Sequence, residues 1–572
     1  MDGITEQQYV ETGLTYAKGV VAGEIVACKW VKAACQRQLD DLERWQSEDS
    51  PYWFSPDAAS RVCQFIELLP HIKGPKSGQL IELEPWQCFV LTTIFGWMKT
   101  DTGKRRYRKV YIEIPRGNAK STLSSGVGLY MGFADGEGGA DVYSAATTKE
   151  QALIVFRDAQ QMAKNSPDFR KEFGVTVLAN NIHQPSTNSK FMAKASEDGT
   201  LDGLNIHFAV VDELHAHKTR LVHDVLETGI GKRNQSMLWE ITTAGSNRTG
   251  ICYEVRSYVL KLLNAVLRRH DGFGYKVEGD SADDEQYFGI VYSIDDGEDW
   301  TTAEALEKAN PNWAISVEVD SILGIQRKAL QTASAVNNFL TKHLNCWVSS
   351  ETAWMDMRAW DACAYPGMKL EDFAGESVGI GIDLASKTDI AAMALIFERD
   401  GHYYVFGKYY LPEDTIDESR NSQYAGWVRD GRLTPTPGNI IDFNYIENDL
   451  RALKSQFEIR HVAYDPFQAT HFATNMLAEG FPMIETSQTV RSLSEPMKQL
   501  EALVLSRRIH HDGDPVAGWM MSNVVCHTDV KENIYPRKEA AANKIDFAVA
   551  TIMDLSWMLP QHSAYTGDTV VI

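Results

Sequence analysis

Apolar and polar residues alternate with two different periods along this chain, and the changes of period divide it into regions. Through residues 1–75 the apolar positions recur at helical spacing, as in GEIVACKWVKAACQRQLDDLERW and PDAASRVCQFIELL. From about residue 108 to 250, short apolar runs predict strands, each followed by turn or helix residues: RKVYIEI, ADVYSAA, HFAVVDE and MLWEITTA. This alternation predicts an α/β fold with a mostly parallel sheet.

The pattern changes again after residue 250. Residues 251–375 are mixed, with two helical runs, ICYEVRSYVLKLLNAVL and VDSILGIQRKALQTASAVNNFLTKHL, and an acidic stretch around 279–299. From residue 376 the runs ESVGIGIDLA, AAMALIF, HYYVFGKYY and HVAYDPF predict strands, and EAAANKIDFAVATIMDLSWML predicts a long closing helix. We therefore expect a helical segment over 1–75, an α/β core over 76–250, a helical linker region over 251–375, a second α/β domain over 376–560 and a loose tail over 561–572.

Composition supports several folded domains. The 572 residues are 44% apolar and 23% charged, which is typical of globular proteins and excludes disordered and fibrous classes. The eight cysteines include no CxxC pair, so we expect free thiols rather than a zinc site or a disulfide framework. The first residues lack the apolar core of a signal peptide, and no run of eighteen apolar residues predicts a membrane span.

The first candidate site follows the strand RKVYIEI. The segment from Pro115 to Thr122, PRGNAKST, combines a tight turn, a Lys-Ser-Thr run and a helix start. Backbone N–H groups at such a turn bind phosphate, Lys120 can reach the β and γ oxygens, and Ser121 can hold Mg²⁺. Ile114 and Ala119 stand where the usual GxxxxGK[ST] motif has glycines, so the turn alone equally fits an ordinary strand–helix connection.

Two further strand ends strengthen this prediction. Asp212 and Glu213 end the run HFAVVDE, where an aspartate can position Mg²⁺ and a glutamate can activate water, although a solvated strand end is the alternative. The next strand ends in Thr242–Gly245, whose hydroxyls can sense a γ-phosphate. Upstream, Gln87 in LEPWQ either contacts adenine through its amide or only begins a helix. The order of turn, acidic strand and hydroxyl strand predicts a nucleoside triphosphatase.

A second candidate site lies in the C-terminal region. Asp383 and Asp465 each end a predicted strand, and Asp546 lies on the predicted closing helix. Carboxylates that converge from two strands and a helix, in the order of a ribonuclease H-like fold, need cations between them, and a two-metal site cuts phosphodiesters. Oxygen ligands favour Mg²⁺ or Mn²⁺. Asp389 is either a fourth ligand or a turn residue.

These motifs together resemble the large terminase subunit of tailed bacteriophages, the ATP-driven DNA-packaging motor that also cuts the genome. The resemblance covers residues from about 80 to 560 and is carried by LEPWQ (83–87), IPRGNAKST (114–122), YSAATTKEQA (143–152), DGLNIHFAVVDELHAH (202–217), ITTAG (241–245), GIDLA (381–385), YDP (464–466) and KIDFAVA (544–550). It implies an N-terminal P-loop ATPase of the additional-strand, RecA-like type over 76–250 and a C-terminal ribonuclease H-like nuclease over 376–560.

The resemblance also assigns roles to residues. It implies that Gln87 contacts adenine, that Arg116 and Lys120 are the Walker A basic residues, and that Ser121 binds Mg²⁺. The remaining assignments are the phosphate-loop residues Gly117, Asn118, Ala119 and Thr122, the Walker B pair Asp212 and Glu213, the coupling motif Thr242–Gly245 with Thr243 at the nucleotide, and the nuclease ligands Asp383, Asp465 and Asp546. An arginine acting on a neighbouring subunit's ATP is either Arg220 or Arg233.

For the whole protein the resemblance implies ATP and Mg²⁺ as cofactors, with Mn²⁺ as an alternative at the nuclease site. The implied partners are double-stranded DNA, the portal protein, the small terminase subunit and further copies of the chain in a ring, expected to be a pentamer. The protein would act in the host cytoplasm, transiently docked on the viral procapsid, with no membrane partner.

Two other function classes compete with this interpretation. A helicase–nuclease of DNA repair or mobile-element type would share VDELH, but it needs a second RecA-like domain after residue 250, where the chain is helical and acidic. A docking or scaffold protein with decayed sites would not retain Lys120, Asp212, Glu213 and three aspartates. His215 and His217 could form a metal pair, and His510 and His511 could lie by the nuclease, but we expect ordinary loop and strand-end roles for them.

The net charge of the chain bears on whether it can bind DNA. The net charge of −21, from 56 basic and 77 acidic residues, by itself disfavours binding to duplex DNA. Bound cations reverse the local charge of acidic clusters, however, and the basic run Lys104–Lys109 forms either a local DNA grip or a solvated hairpin. We therefore expect low intrinsic DNA affinity rather than none.

Overall fold

The chain folds into two units, residues 1–330 with 338–348 and residues 331–337 with 349–572. The computed structural model describes residues 6–47, 49–195, 203–217, 219–248, 250–271, 284–331, 333–348, 354–385, 389–419, 421, 423–467, 469–528, 533–538 and 543–559. The predicted tail over 561–572 lies outside the described residues. Among the described helices, none is both long enough and apolar enough to cross a membrane.

The elements up to residue 348 follow the predicted alternation. The helices are α1 Glu6–Ala22, α2 Lys29–Arg44, α3 Pro56–Glu67, α4 Pro85–Gly96, α5 Lys120–Phe133, α6 Lys149–Asn165, α7 Pro167–Glu172, α8 Leu221–Gly229, α9 Ile251–Asp271, α10 Ala303–Ala309, α11 Val319–Gln331 and α12 Ala333–His343. The strands are β1 Tyr52–Phe54, β2 Trp97–Lys99, β3 Lys109–Glu113, β4 Asp141–Ala146, β5 Thr176–Val177, β6 Ile182–Gln184, β7 Ser189–Ala195, β8 Phe208–Asp212, β9 Met237–Thr242 and β10 Tyr287–Val291.

The first unit is built on a mostly parallel sheet, as predicted. Among the described residues its strand order is β10-β3-β9-β8-β4-β7-β6-β5, parallel from β10 to β7 and antiparallel at β6 and β5. Strands β8 and β9 are buried along their whole length, because helices cover both faces of a parallel sheet. The carboxyl ends of β3, β9 and β8 are therefore neighbours at one edge.

Strand β10 was not predicted from the sequence. Its residues Tyr287–Val291 pair in parallel with β3, although the pattern placed them in a mixed linker region. A five-residue apolar run is too short to be distinguished from helix or loop by periodicity alone. Its strand conformation depends on pairing with β3, which lies more than 170 residues earlier in the chain.

The basic run before β3 is an internal feature of this unit. Arg106 is fully buried and pairs with Asp41, 2.8 Å away, and with Glu285, while Arg105 is 5% exposed and pairs with Asp135. Both interpretations of the run, a DNA grip and a solvated hairpin, are wrong for these two arginines. Each is fixed by carboxylates from other parts of the fold.

In the second unit the four predicted strands and the closing helix are present, whereas the other elements were not predicted from the sequence. The helices are α13 Met357–Asp361, α14 Glu413–Glu418, α15 Gln423–Arg429, α16 Phe443–Gln456, α17 Thr470–Ala478, α18 Val490–Leu505, α19 Pro515–Ser522 and α20 Asp546–Met558. The strands are β11 Ser377–Asp383, β12 Ala391–Arg399, β13 His402–Pro412, β14 Thr434–Thr436, β15 Glu458–Tyr464, β16 Met483–Glu485, β17 Ile509–His511, β18 Val524–Thr528 and β19 Ile534–Lys538.

The second sheet has the order β14-β13-β12-β11-β15-β16, with β17 beside β13. Strands β11, β12 and β13 are antiparallel neighbours, and β15 runs parallel to β11, so Asp383 and the residue after β15, Asp465, lie at the same edge. This is the expected ribonuclease H-like arrangement. A separate hairpin, β18–β19, carries residues 524–538.

The closing helix is shorter than predicted. Helix α20 begins at Asp546, and residues 543–545 are not helical, whereas the sequence pattern predicted a helix through EAAANKIDF. The late start puts Asp546 in the first turn, where the helix dipole favours a carboxylate. Helix α20 packs on β11 and β12.

All eight cysteines of the chain are free thiols, as expected.

Candidate functional site

The phosphate-loop sequence folds as a strand, a tight turn and a helix. Strand β3 ends at Glu113, Gly117 has a φ of 88°, and Ala119 has a φ of 55° at the N-cap of α5. A left-handed conformation is unfavourable for alanine, which explains why glycine is usual before the lysine. Lys120 begins the helix, so its backbone N–H and those that follow it point out of the helix N-terminus.

The predicted nucleotide residues converge around Glu213. Lys120 Nζ lies 3.3 Å from Glu213 Oε1, and Thr243 Oγ1 donates to Glu213 Oε2 at 3.4 Å. Ser121 Oγ donates to Asp212 Oδ2 at 3.3 Å. The residues predicted from three separate strand ends therefore form one polar cluster, which solvated strand ends would not.

Electrostatics separates the two acids of this cluster. Burial, and then the charge of Glu213, raises the pKa of Asp212. Burial also opposes ionisation of Glu213, but the hydrogen bond from His215 and the charge of Lys120 outweigh it and lower the pKa of Glu213. Glu213 is thus held as an anion, and a cation beside Asp212 would favour its ionised form.

His215 belongs to this cluster, although the sequence pattern predicted only a loop role for it. Its Nδ1 lies 3.1 Å from Glu213 Oε2 and 3.1 Å from Thr242 Oγ1, and its Nε2 lies 3.0 Å from Lys342 Nζ. His217 is buried nearby, and burial lowers its pKa to about 4. The loop interpretation is right for the backbone, but His215 also orients the Glu213 carboxylate.

The predicted nucleotide residues outside this cluster include Gln87, Arg116 and Thr122. Gln87 Oε1 accepts a hydrogen bond from the backbone N–H of Glu84 at 2.9 Å, so its amide completes a capping box at the start of α4. Arg116 is exposed, and its backbone N–H donates to the carbonyl of Lys342. Thr122 is half-buried in the first turn of α5.

The two candidate arginines have different surroundings. Arg233 is 13% exposed and donates to Glu137 and to the carbonyl of Gly139. Arg220 is 40% exposed and pairs with Asp224 and Glu254 on the surface. Arg220 can therefore be released more readily than Arg233.

The nucleotide cluster also contains residues that the sequence did not indicate. Asn345 Oδ1 accepts from the backbone N–H of Ala244 at 2.6 Å, and Lys342 contacts His215. Both lie about 100 residues after the coupling motif, and an isolated Lys in the last turn of a helix, or an Asn just after it, carries no recognisable signal. Only the fold brings them to this site.

The three predicted aspartates of the second unit line one open cavity of about 540 Å³. Asp383 comes from the end of β11, Asp465 from the residue after β15, and Asp546 from the first turn of α20. Gln488 Nε2 donates to Asp383 Oδ1 at 2.8 Å. His510 and His511 are absent from the described lining of this cavity, as expected for strand-end residues; His511 stacks on Trp360.

The donors of this cavity fit divalent cations. Burial, and then the neighbouring charge of Asp546, raises the pKa of Asp383 well above its usual range. Burial, and then Asp389, raises the pKa of Asp546 to about 7. Asp546 Oδ2 is buried and, among the described residues, has no hydrogen-bond partner. Carboxylates that repel each other, with an unpaired buried oxygen, form a site that a cation would complete.

Asp389 lines the same cavity, and two lysines contact it. Lys538 Nζ and Lys544 Nζ lie 2.8 and 2.6 Å from its Oδ1. Burial raises its pKa, but these hydrogen bonds outweigh burial and lower it. Asp389 is therefore neutralised by lysines rather than left as an unpaired turn residue, and neither lysine was indicated by the sequence.

Comparison with known proteins identifies an ATPase region and an endonuclease region. Residues 85–261 match the family model of the terminase large subunit, ATPase domain, and residues 281–562 match that of the terminase large subunit, endonuclease domain. Protein YmfN of Escherichia coli (strain K12) is 36% identical over 394 residues, covering 66% of this chain and 83% of that protein. The terminase large subunit of Enterobacteria phage HK97 is 24% identical over 509 residues, covering 86% of this chain and 94% of that protein.

A solved structure, that of the HK97 bacteriophage large terminase, is similar with a TM-score of 0.41 and 23% identity, covering 87% of this chain and 99% of that one. The two family models together cover most of the chain, in the predicted order of ATPase before nuclease. This assignment disfavours the helicase–nuclease and the decayed scaffold. The chain belongs to the terminase large subunit family and is a DNA-packaging motor subunit with ATPase and endonuclease activity.

Proposed function

We propose that the cluster around Glu213 hydrolyses ATP and that the aspartate cavity of the second unit cuts DNA with two divalent cations. The family implies a nucleotide and a divalent metal. The observation that supports the residue assignment is convergence: side chains from two strand ends and from the start of a helix meet in each unit, although they are far apart in sequence.

In the proposed ATPase site, the N-terminus of α5 binds the phosphates and Lys120 neutralises the β and γ oxygens. Ser121 and Asp212 would hold the cation, which we infer to be Mg²⁺ because the ligands are oxygens. Glu213 accepts the proton of the attacking water. Thr243 and His215 keep its carboxylate in place when Lys120 moves to the phosphates.

The other proposed nucleotide contacts surround this centre. Gly117, Asn118, Ala119 and Thr122 form the phosphate loop and first helical turn, Arg116 reaches the phosphates from the surface, and Gln87 contacts adenine. For Gln87 this requires only its Nε2, because its Oε1 already accepts the Glu84 N–H. Arg220 is our preferred arginine for a neighbouring subunit's ATP, because its ion pairs are exposed.

In the proposed nuclease site, Asp383, Asp465 and Asp546 hold Mg²⁺ or Mn²⁺. When bound there, the cations stabilise the charge of the phosphodiester and lower the pKa of an attacking water. Gln488 orients Asp383, and the Asp389–Lys538–Lys544 group adds positive charge to the cavity wall, where a DNA phosphate would lie.

We further propose the wider context of the motor. Copies of the chain would form a ring, inferred to be a pentamer, on the portal protein of a procapsid in the host cytoplasm, with the small terminase subunit delivering double-stranded DNA. The ATPase core would span 76–250 together with β10, which pairs with β3, between a helical segment over 1–75 and a linker over the rest of 251–375. The nuclease would span 376–560.

The ATPase assignment is tested by Glu213→Gln. This variant should bind ATP and lose turnover, because the amide cannot accept the proton. The matched control is Glu172→Gln, an exposed glutamate of the same unit, which should keep wild-type turnover. Normal turnover by Glu213→Gln would exclude Glu213 as the base.

The nuclease assignment is tested by Asp383→Ala, which should abolish Mn²⁺-dependent plasmid cutting and leave ATP turnover intact. Asp430→Ala, at an exposed aspartate of the same unit, is the control and should cut normally. Cutting by Asp383→Ala at the wild-type rate would remove the aspartate cavity from the nuclease role.

A further inference from the structure

Three buried asparagines connect the phosphate loop to the segment after α10. Asn118 lies in the loop, and Asn310 and Asn312 follow the helix end at Ala309; their exposed fractions are 0%, 0% and 3%. Asn118 Nδ2 donates to Asn310 Oδ1 at 2.8 Å, and Asn118 Oδ1 accepts from the backbone N–H of Asn312 at 3.0 Å. One loop amide is therefore paired on both sides by a segment nearly 200 residues away.

The segment holds the loop at a second point. Asn312 Nδ2 donates to Ser316 Oγ at 2.8 Å, and Ser316 Oγ donates to the carbonyl of Gly117 at 2.6 Å. Gly117 has a φ of 88° and also lies against Val317. The bonds through Asn118 and through Ser316 together fix two consecutive residues of the turn.

The same asparagine reaches the helix that carries the proposed adenine contact. Asn312 Oδ1 accepts from Trp86 Nε1 at 2.6 Å, and Trp86 is buried beside Gln87 in α4. Asn310 is anchored in turn, because its Nδ2 donates to the carbonyls of Leu306 and His343, each at 2.8 Å. The oxygen and the amide nitrogen of both side chains are thus bonded in the interior.

These hydrogen bonds hold a phosphate loop that contains an unfavourable backbone conformation. Ala119 occupies a left-handed conformation that alanine disfavours, in a loop that lacks the usual glycine before the lysine. Without external contacts the loop would relax toward other conformations. Hydrogen bonds from a rigid neighbouring segment reduce that freedom before phosphate arrives, which is how preorganisation raises affinity.

We propose that Asn310 and Asn312 are positioning residues for ATP: they hold the phosphate loop in its binding conformation and tie it to the adenine side of the site through Trp86. This inference rests on the proposed nucleotide site. The asparagines act through the loop and contact neither the reacting phosphate nor the water. Their loss should therefore weaken the binding of ground state and transition state alike.

The test compares steady-state ATP turnover and ATP-analogue binding of the full chain with those of Asn312→Ala. The KM for ATP and the analogue Kd should rise about tenfold or more, while kcat stays within about threefold.

The matched control is Gln38→Ala. Gln38 is also a buried amide that accepts from an indole, Trp97 Nε1 at 2.7 Å, but it lies in α2, away from the phosphate loop. Both alanine variants should lower the melting temperature, whereas only Asn312→Ala should raise KM. An unchanged KM in Asn312→Ala, with a melting temperature lowered as in Gln38→Ala, would show that Asn312 is merely structural and overturn the proposal.

Two further variants keep the result interpretable. Ser316 is exposed, so Ser316→Ala should fold even if Asn312→Ala does not. Ser316→Ala should raise the KM for ATP about threefold. If Asn312→Ala is insoluble and Ser316→Ala has the wild-type KM, the result counts against the proposal. Lys120→Ala should abolish analogue binding. If Lys120→Ala binds the analogue normally, the proposed nucleotide site itself is wrong. If Lys120→Ala loses analogue binding but Asn312→Ala has the wild-type KM and Kd, only the positioning role is refuted.

Discussion

Two glycines of β11 determine how closely α20 approaches the nuclease sheet, and Gly381→Ala tests this. Gly379, Gly381 and Asp383 share one face of the strand, because side chains alternate along a strand. A Cβ at Gly381 would lie 2.0 Å from the carbonyl oxygen of Ala550 in α20. The obstacle is helix backbone, which cannot rotate away as a flexible side chain would.

The expected displacement follows from this distance. An ordinary contact needs 3.4 Å, so α20 and β11 must separate by about 1.4 Å at this point. Overpacking of this kind costs about 1–3 kcal/mol. For a unit of this size, a loss of 1 kcal/mol lowers the melting temperature by roughly 2–4 °C.

The same displacement reaches the aspartate cavity. Asp546 lies on α20 about one turn before Ala550, and Asp383 lies two residues beyond Gly381. Moving one carboxylate by about 1 Å relative to the other can cost about 100-fold in rate. We therefore expect Gly381→Ala to lower the cutting rate by about two orders of magnitude and to leave ATP turnover unchanged.

The assay combines Mn²⁺-dependent plasmid cutting, ATP turnover and thermal melting of the full chain. The control is Gly426→Ala in α15, where an added Cβ meets only the end of Arg429 at 3.9 Å; it should be neutral or slightly stabilising and cut normally. If Gly381→Ala melts and cuts like the wild type, then α20 does not pack on β11 as described, and the argument is refuted.

Three further predictions concern other parts of the chain. Ala119→Gly should stabilise the first unit by about 1 kcal/mol, seen as a higher melting temperature, because glycine accepts a φ of 55° without strain; a lower melting temperature would contradict this. Burial raises the pKa of Asp554 to about 6, so the folded chain retains a proton that the unfolded chain has lost, and the free energy of unfolding should fall as pH rises from about 4 to about 6. In Asp554→Asn this contribution should disappear, and an identical pH profile would contradict the assignment. Arg106→Met should lower the free energy of unfolding by about 3 kcal/mol or more in denaturant titrations, since it leaves the buried Asp41 without its cation, and the DNA affinity of the folded fraction should not change.

The sequence was sufficient where function depends on local pattern. Two apolar strands end in Asp212–Glu213 and in Asp383, and Lys120 follows a strand and opens a helix. Periodicity and residue type together therefore indicated the candidate sites. Parallel strands place their carboxyl ends at one edge, which is why residues so far apart could be predicted to converge.

Other features needed the tertiary structure, because no local pattern encodes them. Strand β10 and the buried Arg106 both depend on partners that lie far along the chain. Polarity alone predicts that Arg106 is solvated, and only the surrounding carboxylates make its burial possible.

From the sequence alone, the chain could be recognised as an ATPase followed by a nuclease, and candidate residues for the chemistry could be named. Only the tertiary structure identified what holds those residues in place: His215 beside Glu213, lysines on Asp389, and Asn310 and Asn312 on the phosphate loop. The physical reason is that catalytic residues sit at ends of regular elements, which have a periodic signature. Their supports are single polar side chains in irregular segments, and these become meaningful only when folding buries them together.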